Sequence, residues 1–236
     1  MDQVTPRALS YDAVAVARHV AATAATRAEA QDRDDGFPTE DVADLARLGL
    51  LAAVLRLVGY GSLALGRLYE GHVNALQLVA RYGTPEQRER LFADACDGHL
   101  FGVWNTEPLG GGLVLEDGMR LAGVKTFASG AGYVTRALVT GRSPGGNGTV
   151  MLVVPLGAGS RADLSAWRAY GMRASATGTL DFAGIAIAAE DILGDPDDYF
   201  RQPDFSGGAW RFTAVQLGGI EAVFDAWRGH LAATGR

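Results

Sequence analysis

The hydrophobic period of this chain changes twice, and that limits its fold more than any other feature. Apolar residues recur at three- and four-residue spacing up to about residue 98. They alternate from about 99 to 205, and helical spacing returns from 206 to 236. A helical bundle keeps the first rhythm and a sheet the second, so neither alone accommodates the chain. The reading is α+β and multidomain, with an N-terminal α-helical domain at 1–98 and a middle antiparallel β-barrel domain at 99–205. Residues 206–236 are the first helix of an incomplete C-terminal helical bundle.

Local signals support each part. Val14, Ala17, Ala21, Ala24, Ala25 and Ala28 share one helical face, which Asp34-Asp35-Gly36-Phe37-Pro38 terminates. Thr39 then caps a helix carrying Val42, Leu45, Leu48 and Leu51. Leu65, Leu68, Tyr69, His72, Val73, Leu76 and Val79 stripe a third. Thr84-Pro85-Glu86-Gln87 is a capping box that opens a fourth, with proline where no amide hydrogen is needed. Strands are expected at 100–104, at 136–140 and 150–155 around a Gly-rich loop, and at 179–182 and 185–188. Asp117-Gly118 predicts a type I′ turn between 113–116 and 119–121. Phe212 to Trp227 give the last helix a broad apolar face that needs a partner.

Composition narrows the function classes. A net charge of −6 argues against a nucleic-acid partner, which normally meets a basic face. The single Cys96 cannot form an internal disulfide, which suits a reducing compartment. No basic segment leads into an apolar one at the start, and the longest apolar stretch, Leu50 to Leu55, is too short to cross a bilayer. A cytoplasmic protein without a membrane partner is expected.

Most catalytic motifs are missing. His19, His72, His99 and His230 are scattered, so no metal-ligand spacing is present, and there is no Walker A or G-x-S-x-G sequence. His72, among Leu and Val, reads as a half-buried histidine with its hydrogen bond satisfied. Gly59-Tyr60-Gly61-Ser62-Leu63-Ala64 fits a dinucleotide fingerprint, with Leu50 to Val58 as its strand. The bland alternative is a glycine pair at a helix start with Ser62 as cap. The stronger constellation is a pair of strand-end loops, 104–112 and 125–132. Their hydroxyls and bare backbone suit a planar heterocycle and its phosphates, with Phe127 or Trp104 over a ring face.

At these loops the sequence resembles the acyl-CoA dehydrogenase family. Four segments agree in order: Tyr82-Gly83-Thr84-Pro85-Glu86-Gln87-Arg88, Thr106-Glu107-Pro108, Lys125-Thr126-Phe127-Ala128-Ser129-Gly130, and Tyr170-Gly171-Met172-Arg173-Ala174-Ser175-Ala176-Thr177. The resemblance implies FAD between the middle domain and the C-terminal bundle. It also implies α,β-dehydrogenation of an acyl thioester, with hydride passing to the flavin. By that resemblance Asn105 and Thr106 meet the isoalloxazine edge, Phe127 stands in place of the family's Trp, and Ser129 supplies a hydroxyl beside the ring. Gly111 and Gly112 touch pyrophosphate or substrate. A homodimer or homotetramer is implied, with an electron acceptor the sequence does not identify.

Three departures from the family set further expectations. About twenty residues of a Gly-rich loop are absent after Leu55. The remaining C-terminal helices are absent after Arg236. The family's early acid is replaced by Ala209 and Trp210. An α-proton beside a thioester needs a positioned base, and Glu221 on the last helix is the one acid singled out to test. The leading expectation is an acyl-CoA dehydrogenase-like flavoprotein not competent as this chain alone. The alternatives are an inactive binding or scaffold protein of that fold and an NAD(P)-dependent oxidoreductase.

Overall fold

A computed structural model describes Thr26 and residues 50–159 and 161–235. The chain forms two compact units, Met1–Val54 and Leu55–Arg236. In the first, Thr26 and 50–54 are helical. The rest of the face at 14–28, the break at 34–38, the Thr39 cap and the positions at 42–48 lie outside the described residues.

Three helices lead into the strands: α1 (Leu50–Gly61), α2 (Leu63–Tyr82) and α3 (Pro85–Cys96). Ser62 Oγ accepts from the Leu65 N–H at 3.2 Å and caps α2. The fingerprint-like segment is therefore the end of one helix and the start of the next. The strand a dinucleotide loop requires at 50–58 is α1 instead. The capping box at Thr84 forms in both directions: Thr84 Oγ1 accepts from Gln87 N at 3.2 Å, and Gln87 Oε1 accepts from Thr84 N at 2.9 Å.

The strands are β1 (Phe101–Trp104), β2 (Val114–Glu116), β3 (Arg120–Ala122), β4 (Val124–Ala128), β5 (Arg136–Arg142), β6 (Thr149–Pro155), β7 (Ala162–Asp163), β8 (Gly178–Asp181) and β9 (Ile192–Leu193). The expected antiparallel barrel needs correction. The described strands make two sheets, one ordered β3-β2-β5-β6-β9 with β1 also on β5, the other β4-β8-β7. β1 and β2 both pair with β5 in parallel. Neither is joined to β5 by a hairpin, so no tight turn forces them antiparallel. Residues 185–188 form no strand; Ala186 makes only an isolated bridge to Arg120. The 116–120 connection also differs from the type I′ expectation. Three residues link the paired Glu116 and Arg120, and positive φ falls on Gly118 and Met119 rather than Asp117.

The larger sheet is buried on both faces. Ala137 and Val139 of β5 and Leu152 and Val154 of β6 enter a core with Trp104, Leu180 and Phe182. Their neighbours Leu138, Met151 and Val153 enter a second core with Ala75 and Val79 of α2 and Leu91 of α3. Two-sided burial explains why Val150-Met151-Leu152-Val153-Val154 is continuously apolar instead of alternating. After a short helical segment, Asp204–Gly207, the chain ends in α4 (Trp210–Thr234). On α4 Val215 is buried, whereas Ile220, Val223, Phe224 and Trp227 are exposed. No described helix is long and apolar enough to cross a membrane.

His72 holds α2 to β1 as a neutral group. Its Nδ1 accepts from the Phe101 N–H at 3.1 Å, and the two rings meet edge to face. Burial pushes the imidazole pKa below its ordinary value. A base whose folded pKa is depressed binds more protons unfolded, so its contribution is intact at high pH and declines as pH falls below about 6.5. Asparagine keeps the acceptor without titrating. His72→Asn is therefore expected to lose less thermal stability than the wild type between pH 7.5 and pH 5, as measured by unfolding scans at both values.

Candidate functional site

The two sequence-predicted loops lie side by side. Beyond β1 the chain continues along β4: Thr126 N donates to Thr106 O at 3.0 Å, and Trp104 Nε1 donates to Ser129 O at 2.9 Å. Asn105, Thr106, Phe127 and Ser129 are thus brought to one rim, although they come from segments about twenty residues apart.

A buried lysine fixes the first loop. Lys125 is fully buried, and its Nζ donates to Glu107 Oε1 at 2.7 Å, Thr140 Oγ1 at 3.2 Å and Asn105 O at 3.3 Å. Burial lowers its pKa, and the Glu107 carboxylate opposes that shift. Thr140 passes its own hydrogen to Asn105 Oδ1. Glu107 Oε1 also accepts from Leu113 N at 3.0 Å, which closes the loop on itself. Gly112 is required by this arrangement, because a Cβ there would stand 2.1 Å from Glu107 Oε2. Gly111 faces open space, and Gly110 turns the chain at φ +80°.

Phe127 is presented outward by a backbone irregularity. The β4–β8 register shifts between Lys125 and Ala128, and Phe127 has φ +52° with 65% of its surface exposed. Left-handed backbone at a bulky residue is costly and often marks a functional position. Ser129, half-buried, has Thr177 Oγ1 3.1 Å from its own Oγ.

Glu221 lies elsewhere, on α4, in an ion pair with Arg56 of α1 at 2.6 Å. The acid that sequence reasoning missed is Glu70. It is buried on α2, paired with Arg67 and 3.7 Å from Arg211 Nε. It borders a cavity of about 490 Å³ whose walls include Leu63, Phe212, Val215, Ile220 and Met172. A second cavity of about 380 Å³ adjoins Glu70 and is lined by Tyr199, Arg81 and Arg211. The signal for Glu70 was that it is the single acid of α2, off the stripe that carries Leu65, Leu68 and Leu76. The rim residues themselves line neither cavity. Among the described residues no cluster of three or more His, Cys, Asp or Glu is arranged to hold a metal.

No family model matches the chain. It is similar to a dibenzothiophene monooxygenase of Mycolicibacterium goodii, 26% identical over 247 residues, covering 91% of this chain and 58% of that enzyme. The chain thus spans less than two thirds of that relative's length. Among solved structures it resembles KijD3 in complex with FMN and a dTDP-amino-keto sugar, at TM-score 0.66 and 22% identity, over 98% of this chain and 67% of that one. It also resembles butyryl-CoA dehydrogenase from Megasphaera elsdenii, at TM-score 0.62 and 18% identity, over 94% and 68% of the respective chains.

Proposed function

We propose, from the premise that this chain has the acyl-CoA dehydrogenase-like fold, that it acts in flavin-dependent oxidoreduction. The observation that carries the proposal is the rim itself. Two remote loops are tied together by Thr126 N to Thr106 O and Trp104 Nε1 to Ser129 O, in a stretch that carries an exposed aromatic ring, two hydroxyls and a glycine-rich backbone. That set fits a flavin. Phe127 offers a ring face, Asn105, Thr106 and Ser129 offer edge contacts, and Gly111 leaves open backbone for a phosphate. FMN and FAD share these contacts, and the FMN complex of KijD3 keeps FMN beside the FAD expected from sequence.

When bound, flavin supplies two-electron transfer and, once reduced, reaction with dioxygen. The chain's residues hold and orient the ring, and the half-open cavity between α2 and α4 offers an apolar wall to a compact substrate. We favour monooxygenation over thioester dehydrogenation. Proton abstraction needs a free base, whereas Glu70, Glu107 and Glu221 are each held by a cationic side chain. Similarity to the dibenzothiophene monooxygenase supports the same reading. Dehydrogenation is the second reading, favoured by Glu70 as the one acid beside the cavity. Assembly into a dimer or tetramer belongs to the proposal and is supported by the exposed apolar face of α4.

The test is anaerobic mixing of flavin-loaded protein with a panel of acyl-CoA thioesters. The proposal expects the flavin absorbance to persist. It also expects reduced flavin with oxygen to oxygenate compact apolar heterocycles. Rapid bleaching by a thioester would favour dehydrogenation and make Glu70→Gln the first variant to examine.

A further inference from the structure

Arg211 on α4 is a largely buried cation that is held firmly but compensated poorly. Its Nη1 donates to Gln77 Oε1 at 3.0 Å and its Nη2 to Asn74 Oδ1 at 2.6 Å, and the guanidinium carbon lies 5.8 Å from the centre of the Trp210 ring. Gly208 makes room for it, since a Cβ there would stand 2.7 Å from Nη2. The two amides are neutral, and they take two of the five hydrogens a guanidinium carries. Nε is buried without a hydrogen-bond partner. Glu70 Oε1 is 3.7 Å from it, an ion-pair distance too long for a hydrogen bond. The other oxygen of Glu70 holds Arg67. One carboxylate thus stands between two guanidiniums, which leaves one positive charge in excess. Burial lowers the Arg211 pKa from its ordinary value, yet a guanidinium stays charged near neutral pH.

Arg211 borders the cavity of about 380 Å³. The other cation of that cavity, Arg81, is already committed: its two terminal nitrogens meet the two oxygens of Asp204 at 2.8 and 2.6 Å. Leu78, Tyr199, Phe205 and Phe212 give the same cavity apolar walls. We propose that it is a binding site for a small monocarboxylate with an apolar body, the carboxylate on Arg211 and the body against Tyr199, Phe205 and Phe212. A planar carboxylate matches the guanidinium fork and accepts hydrogens that Gln77 and Asn74 leave unclaimed. A dianion such as phosphate fits less well, because one positive charge is in excess and the carboxylates of Glu70 and Asp204 line the same cavity. The rim residues at 105–112 and 127–129 do not line it, so the site goes beyond the flavin reading and stands without it.

The test is calorimetric titration of the purified full chain, without added flavin. The probes are phenylacetate and cyclohexanecarboxylate, the primary amide of each, and inorganic phosphate. Wild type is expected to bind at least one of the carboxylates about tenfold or more tighter than its amide, the effect of a charge-assisted hydrogen bond. It is expected to bind phosphate more weakly than that carboxylate. Arg211→Gln should abolish the preference for acid over amide and leave the affinity for the amide nearly unchanged. If Arg211→Gln fails to fold, Gly208→Ala carries the comparison: its Cβ displaces the guanidinium without changing the charge, and the preference should narrow. The site is overturned if wild type binds neither carboxylate, binds acid and amide equally, or binds phosphate more tightly. It is overturned equally by a preference that survives undiminished in the folded variant. With no flavin present, none of these results depends on whether the rim binds one.

Discussion

Gly218→Ala destabilises the protein by about 3 kcal/mol, even though alanine is the better helix former. Gly218 sits on α4 where that helix crosses α1. A Cβ added there would lie 1.8 Å from Arg56 O and 2.7 Å from Tyr60 N. From the other side, a Cβ on Gly59 would lie 2.1 Å from Val215 O. Both obstacles are backbone atoms of a helix, so no side chain can swing away, and the two helices must separate. For a chain of this size the cost corresponds to roughly 6–12 °C in Tm. Gly229 supplies the control. It lies on the same helix with nothing within 4 Å of its Cβ position, so Gly229→Ala should stabilise by about 0.5–1 kcal/mol. Opposite signs for two identical substitutions on one helix, read by chemical denaturation, distinguish close approach from helix propensity.

The second large effect concerns the ion pair behind the rim. Lys125 is fully buried, whereas the Glu107 side chain is 37% exposed. The two partners therefore respond differently to removal. Glu107→Leu leaves a buried ammonium with only neutral acceptors and should cost about 3–5 kcal/mol at pH 7. Lys125→Met leaves a carboxylate that still reaches water and should cost about 1–2 kcal/mol, nearer the value of an exposed pair. Pairing the two changes should recover part of the Glu107→Leu loss. The pH dependence has a definite sign. Without Glu107 the lysine pKa falls further below its ordinary value, because the carboxylate was the group raising it. A base with a depressed folded pKa is least destabilising when deprotonated, so Glu107→Leu should gain stability relative to wild type between pH 7 and pH 10. Denaturation midpoints for the four proteins at several pH values check both claims.

What the sequence revealed depended on whether a residue's reason was local. The Thr84 box was legible because cap and partner lie three residues apart. The ends of β1 and β6 were legible to within one residue because turn residues flank them, whereas β5 continues two residues past the expected 140. The type I′ turn at Asp117-Gly118 was misread, since the 116–120 connection holds three residues and moves positive φ onto Gly118 and Met119. The barrel was misread for a different reason: strand pairing is a long-range property, and no period states that β1 and β2 share one edge of β5. The loops at 104–112 and 125–132 and the ring of Phe127 stood out by their residues, the contact roles of Asn105, Thr106 and Ser129 came through family resemblance, and the meeting of the two loops needed the fold. Phe127's left-handed backbone, the Ser129–Thr177 contact and the burial of Glu70 depend on contacts between distant segments. The lone lysine drew attention by its rarity, and its meaning came from Glu107, Thr140 and Asn105 around it.

The central claim, that the 105–112 and 127–129 rim holds a flavin, is tested most directly by titrating oxidised FMN and FAD into purified wild type and Phe127→Ala. The change in flavin fluorescence and visible absorbance gives Kd. Removing the exposed ring should take away stacking worth about 1–2 kcal/mol. The account expects saturable binding of at least one flavin by wild type, weakened roughly tenfold in Phe127→Ala. Wild type that binds neither flavin, or a Phe127→Ala variant that binds with unchanged Kd, would contradict it.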